Sequence, residues 1–273
     1  MMMIDSHAHV FERGLPAASV HRYLPGYDAT LADYLSLLNR FEISSGVLIQ
    51  PSFLGSDNSY LVAALAKWPD RLRGIAVIDP KGDISIMDEL NRHCCVGFRL
   101  NLFGLPDPQL KRPEWTHVIK KARDLGWHAE IHAEAHRLPE LVGVLIDAGL
   151  QVVIDHFGRP DPTLGVKDPG FQYLLKASAS RDIWITISGA YRNGENGRGE
   201  EIAMEAIPLL KQTFGLDRMI WGSDWPFTQF ENQESYATVL SFLHRMLPDA
   251  TERQAVVENT PALLYKFNKE VIR

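Results

Sequence analysis

The sequence predicts a single (β/α)8 TIM barrel covering residues 1–273, and three observations carry that expectation. The chain has 273 residues, close to the roughly 250 typical of such barrels. Short apolar or β-branched runs alternate with amphipathic segments along nearly its whole length, the rhythm of repeated βα units. Histidine and aspartate recur where those runs end, and in this architecture the C-terminal ends of the strands carry the active site.

Taken in order, the strand candidates are residues 3–8, 46–50, 74–78, 96–100, 128–132, 152–155, 184–187 and 219–222. Between them lie helix candidates at 31–41, 60–68, 86–93, 115–125, 138–148, 171–180, 200–214 and 233–246. Asp57 and Thr251 are expected as N-caps, Pro113 in a first helical turn, and Gly126 and Gly149 just past helix ends. A ninth helix at 251–267, broken at Pro261, offers Ala255, Val256, Leu263 and Leu264 to pack on the outside as a closing element. Residues 11–30 and 157–168 break the rhythm, are rich in Gly, Pro and polar side chains, and are expected as loops beside the active face.

Composition narrows the class. A hydrophobic fraction of 45% with 23% charged residues supports a substantial core rather than disorder. The net charge of −6, without a basic block, disfavours nucleic acid as a partner. Cys94 and Cys95 are adjacent, which suits reduced thiols better than a disulfide. No stretch reaches the ~20 apolar residues of a membrane span, and the first ten residues do not read as a signal peptide. A cytoplasmic protein without a membrane partner is expected, and a homo-oligomer is left open.

His7 and His9 stand two apart at the end of the first strand candidate, so both imidazoles face one side. An isolated His-x-His is more often coincidence or core packing than a ligand pair. Here the other strand ends add His132, Asp155, His156 and Asp224, and together they suit a divalent ion such as zinc, with one position left for water. His128 and His136 read as packing or surface residues.

Asp5-Ser6-His7-Ala8-His9, the His132 and His156 strand ends and Ser223-Asp224-Trp225-Pro226 resemble the amidohydrolase superfamily. Asp155-His156-Phe157-Gly158-Arg159-Pro160 with Gly222-Ser223-Asp224-Trp225-Pro226 more narrowly resembles the branch of 2-pyrone-4,6-dicarboxylate lactonase and sugar-acid lactonases. The resemblance implies that Asp224 is the general base and that His7, His9, His132 and Asp224 hold one metal, leaving His156 to polarise the substrate carbonyl. Two-metal relatives place a bridging lysine or glutamate at the fourth strand, where this chain has Gly97-Phe98-Arg99-Leu100-Asn101, so one ion is the most to expect. Some lactonases of the branch work without metal, which keeps metal-free hydrolysis open.

Arginine suits carboxylates because its planar fork meets two oxygens at once. Arg99, Arg159 and Arg192 are the candidate clamps, with Gln50, Ser52, Asn101 and Tyr191 adding hydrogen bonds. The expected function is hydrolysis of a small carboxylated lactone. A metal-dependent decarboxylase or hydratase of aromatic or unsaturated acids is the alternative enzyme, and a non-catalytic barrel binding a small anion is the alternative of another class.

Overall fold

The computed structural model describes residues 2–19 and 21–267. Eight parallel strands, β1 (Ile4–Ala8), β2 (Ser45–Ile49), β3 (Leu72–Ala76), β4 (Cys95–Asn101), β5 (His128–His132), β6 (Gln151–Ile154), β7 (Ile183–Thr186) and β8 (Met219–Ile220), pair in sequence order. Each is followed by a helix: α1 (Leu31–Arg40), α2 (Ser59–Lys67), α3 (Ile86–Arg92), α4 (Pro113–Asp124), α5 (Leu138–Asp147), α6 (Pro169–Ala177), α7 (Arg198–Phe214) and α8 (Tyr236–Met246). The expected (β/α)8 barrel is the fold, and every strand and helix candidate overlaps its observed counterpart.

Strand alternation sorts the side chains. Leu48, Phe98, Ile131, Val152, Ile154 and Ile185 turn outward and join the helices in the larger apolar cluster. Ile4, Val47, Ile49, Ile75, Val153 and Ile220 instead meet Leu264, Tyr265 and Phe267 in a second cluster that plugs the N-terminal end of the barrel. That plug corrects the expectation for the ninth helix. Its residues form α9 (Ala250–Gln254), a π-helical stretch (Ala255–Asn259) and α10 (Thr260–Leu264), with Pro261 in the first turn of α10. Val256 and Leu264 are buried, but Leu263 is 79% exposed.

One expected cap also shifts. Asp249, not Thr251, accepts the free N–H groups of Thr251 and Glu252 at 2.8 and 2.9 Å. At α2 the boundary residue is Asn58, but the expected Asp57 side chain does accept from the first helical N–H, that of Ser59, at 3.1 Å. Pro113 opens α4 as expected, and Gly126 and Gly149 follow α4 and α5 with φ of 65° and 79°.

β8 is two residues long, where four were expected, because the chain leaves its ladder after Ile220 to close the barrel. Ser6 N–H donates to Trp221 O at 3.0 Å, Asp224 N–H to His7 O at 2.8 Å and His9 N–H to Trp225 O at 2.8 Å. Asp5 locks this seam. Its buried carboxylate accepts from Ser223 N–H and Oγ, both at 2.7 Å, from His7 N–H at 3.3 Å, and from the Tyr34 and Tyr236 hydroxyls at 3.0 and 2.9 Å. The register of β1 shifts between Asp5 and Ala8, so Asp5 meets α1 and α8 while His7 and His9 face the lumen.

Truncating Asp5 would leave the Tyr34 and Tyr236 hydroxyls without this acceptor in a buried interface and Ser223 Oγ with only His7 O at 3.5 Å. Asp5→Ala is therefore expected to cost about 3 kcal/mol or more, read as a lower urea midpoint, with Asp5→Asn intermediate. Unchanged midpoints in both variants would contradict this account of closure.

Candidate active site

Four imidazoles gather at the C-terminal end of the barrel. The His7 ring lies 5.1 Å from His9 and 4.9 Å from His156, and His156 lies 4.9 Å from His132, centroid to centroid. Asp224 reaches them from the β8 seam, its Oδ1 3.9 Å from His7 Nε2 and 3.8 Å from His9 Nε2. His9 Nδ1 donates to Ile49 O at 2.8 Å, which leaves the Nε2 lone pair facing Asp224.

This approach makes steric demands. A Cβ on Gly222 would lie 2.5 Å from His7 Cβ, and one on Gly189 would lie 2.8 Å from Asp224 Oδ2. Asp224, His156, Phe157 and Arg159 all hold positive φ, between 50° and 63°, which non-glycine residues adopt at a cost. Such strain concentrates where a fold must aim side chains at one point.

The two oxygens of Asp224 have different surroundings. Oδ2 accepts from the Tyr191 hydroxyl at 2.7 Å and from Arg192 Nε in a short ion pair. Oδ1 has no hydrogen-bond partner among the described residues. Burial is the largest single influence and pushes this carboxyl up, but the charge and hydrogen bond of Arg192, with smaller contributions from His7 and His9, together hold it below the ordinary carboxylate value. Burial, then the charge of Arg99, brings His9 down to about 4, opposed by Asp224. His7, His132 and His156 lie well below the usual imidazole value, burial again leading. At neutral pH the site holds an ionised aspartate among neutral imidazoles.

Beneath them is a second charged group. Arg99 Nη2 donates to Asp155 Oδ2 at 2.8 Å, with its Nε 3.7 Å from Glu130 Oε1. His7 Nδ1 lies 3.5 Å from Asp155 Oδ1 and 3.7 Å from Glu130 Oε1. Burial raises Asp155 to about 6 against the pull of Arg99, and raises Glu130 well above its ordinary value. Arg99 is thus paired, as a buried strand-end charge must be.

Above the imidazoles opens a cavity of about 230 Å³, lined by His9, His132, His156 and Asp224 and by Arg22, Arg99, Arg159 and Arg192. Ser52 lines it as well, so four of the seven expected binding residues face it. The other three act at one remove or elsewhere. Tyr191 reaches it through Asp224, and Asn101 Oδ1 accepts from Arg22 at 2.9 Å and lies 3.3 Å from His132 Nδ1. Gln50 stands outside the wall, its amide donating to Gly55 O and Asp57 O at 3.2 and 2.7 Å. Arg22, Glu130 and Phe103 were not anticipated. Phe103 stacks on His132 at 5.5 Å and carries the Arg159 guanidinium 4.2 Å over its face. Glu130 had a signal: it shares the inward face of β5 with His132. Arg22 had none, being set by the path of a loop.

For a metal, the ligand atoms of His7, His9 and Asp224 cluster closely, as do those of His7, Asp155 and His156, while His132 joins neither group. The expected four-residue set is therefore gathered only in part. Two neutral imidazoles and one carboxylate with a free oxygen fit a single divalent ion in donor chemistry. At the end of β4, where a bridging ligand would stand, Arg99 is ion-paired instead.

A parallel barrel whose strand ends deliver imidazoles, one buried carboxylate with an unbonded oxygen and several arginines to a single cavity has the architecture of a barrel hydrolase. The chain belongs to the amidohydrolase family, whose profile matches residues 4–267. It is 28% identical to a 2-pyrone-4,6-dicarboxylate hydrolase of Comamonas testosteroni, covering 96% of this chain and 89% of that one. It is 26% identical to a 4-sulfomuconolactone hydrolase of Hydrogenophaga intermedia, covering 96% of this chain and 88% of that one. A crystal structure from Acinetobacter baumannii, assigned as a 2-pyrone-4,6-dicarboxylic acid hydrolase with citric acid bound, superposes with a TM-score of 0.94 at 37% identity, over 98% of this chain and 100% of that one. Among the described residues, no helix is long and apolar enough to cross a membrane.

The donor set leads to a count. Metal analysis of the purified protein is expected to find at most one equivalent of divalent ion, and less in His9→Ala; two equivalents would show a bridged pair that β4 does not provide for.

Proposed function

We propose that the protein hydrolyses a lactone bearing carboxylates, with Asp224 as general base. The observation that carries this reading is the divided Asp224 carboxylate, one oxygen anchored by Tyr191 and Arg192, the other unbonded at the floor of an arginine-walled cavity. Oδ1 takes a proton from water as the water oxygen bonds to the lactone carbonyl carbon. His156 Nδ1 lies 2.9 Å from Ser188 Oγ. When that hydroxyl donates to Nδ1, the imidazole proton sits on Nε2 and serves the carbonyl oxygen as charge builds there. The ring C–O bond then breaks, Asp224 returns the proton to the departing oxygen, and the new carboxylic acid ionises at neutral pH. Zinc or a similar ion held by His7, His9 and Asp224 would supply further polarisation of the carbonyl and a more acidic water.

Charge bookkeeping supports a substrate with two negative groups. Four arginines line the cavity, and two of them are matched, Arg192 by Asp224 and Arg99 by Asp155. Arg22 and Arg159 have no ion pair among the described residues, so two carboxylates would complete the balance. The names of the relatives, a dicarboxylate lactone and a sulfonated lactone, agree with an anionic ring substrate.

Assayed by proton release on a panel of carboxylated lactones, Asp224→Asn is expected to lose about 10²- to 10⁴-fold in turnover while keeping its shape. Full activity in that variant would overturn the mechanism, and carbon dioxide release without ring opening would favour decarboxylation. The pH dependence follows from the shifts. Asp224 is ionised above a lowered value and the imidazoles are neutral above theirs, so kcat/KM should stay level from neutral pH down through 6.5, the ordinary histidine value. An inflection near 6 would report Asp155, which burial raises to about 6 beside His7, and one clearly above it would assign a charged imidazole to the reaction.

A further inference from the structure

The mouth of the cavity is walled in part by two segments that carry none of the strand-end groups. Residues 21–30 supply Arg22 and Tyr23, and the segment after β8 supplies Thr228, Gln229 and Phe230. One oxygen joins them. Glu231 Oε1 accepts from the Tyr27 hydroxyl at 2.7 Å, from Gln229 N–H at 2.9 Å and, more distantly, from the Tyr23 hydroxyl at 3.5 Å. Glu231 does not itself line the cavity. Towards α1 the segment is also moored by the Phe11–Ala29 backbone pair at 2.8 and 3.0 Å, by Asp28, which accepts from Arg13 N–H, Nε and Nη2 at 2.6, 3.1 and 3.0 Å, and by the Thr30–Asp33 cap. Nearer the mouth the further ties are the Tyr27 ring 5.5 Å from Phe11, His21 Nδ1 on Ala18 O at 2.8 Å, the Arg22–Asn101 bond at 2.9 Å and the Arg22 guanidinium 5.5 Å over Phe103.

Residues 21–30 have no helix and no strand to hold them, so their order depends on such ties. Fixing each residue in place costs conformational entropy, which these ties offset. If the segment were released, Arg22 and Tyr23 would face the cavity for only part of the time, and apparent affinity would fall by that fraction. Asp224 Oδ2 is held by Tyr191 and Arg192 rather than by residues 21–30, so release of that segment would leave its chemistry unchanged.

We propose that Glu231 is a positioning residue for substrate binding, which holds residues 21–30 across the mouth through Tyr27 and Tyr23 and so presents Arg22 to the anionic substrate. The inference rests on the cavity being the substrate site, as in the reading above, but not on the reaction itself.

The test uses the full chain with Glu231→Ala, Tyr27→Phe and Glu231→Gln, the last keeping an acceptor oxygen. Citrate, bound by the Acinetobacter relative, is the probe for calorimetry. Steady-state kinetics on a lactone that turns over and hydrogen exchange over residues 21–30 complete the measurement. Glu231→Ala and Tyr27→Phe are expected to raise KM and the citrate Kd by about tenfold and to speed exchange, with kcat nearly unchanged and Glu231→Gln close to the parent. Unchanged exchange and citrate Kd in the first two variants would overturn the proposal, as would a fall in kcat at constant KM. If no lactone is turned over by the parent protein, the proposed reaction fails, while citrate affinity and exchange still decide the role of Glu231.

Discussion

Asp5 takes no part in the proposed chemistry, yet the arrangement of the site depends on the hydrogen bonds it accepts. A parallel barrel has to bring its last strand back to its first, and here β8 contributes only two ladder residues. The seam is completed by side chain and irregular backbone, with Ser223 held on Asp5 and Gly222 pressed against His7 without room for a Cβ. Asp224 is the next residue, and its position opposite His7 and His9 follows from that closure. One buried carboxylate, tied to α1 and α8 through Tyr34 and Tyr236, thereby sets the distance between a proposed base and its neighbouring imidazoles.

Electrostatics organise the site in two layers. Below, Arg99 with Asp155 and Glu130 forms a buried charged group against His7, where desolvation would be costly without a partner. Above, Arg192 holds one oxygen of Asp224 and keeps the carboxylate ionised, while burial and the surrounding guanidiniums keep the imidazoles neutral. The same positive field suits the proposed anionic substrate and suppresses protonation of the histidines beside it. Arg192 therefore serves both layers of function, setting the state of Asp224 and adding to the charge that the substrate meets.

Much of this was legible in the chain. The alternation of apolar runs and amphipathic helices specified the barrel because periods of two and of 3.6 residues are local properties. His7, His9, His156 and Asp224 could be named because strand ends in this architecture share one face. Arg99 was recognisable as a buried charge needing a partner, which turned out to be Asp155. Gln50 had the right strand and the wrong direction, since its amide was taken by the turn that follows β2. The ninth helix was placed on the outside, whereas Tyr265 and Phe267 fill the barrel floor. Helical amphipathicity says that a face is buried, not what buries it.

The sequence by itself determined the fold class, the family and the strand-end residues, because each is written in short-range periodicity and motif spacing. Only the tertiary structure decided that Asp5 locks the seam, that Asp224 keeps one oxygen free, and that Arg22 reaches the cavity from a loop tied by Glu231. Those facts rest on contacts between residues about thirty to more than two hundred positions apart, whose distances and charges exist only once the barrel has closed.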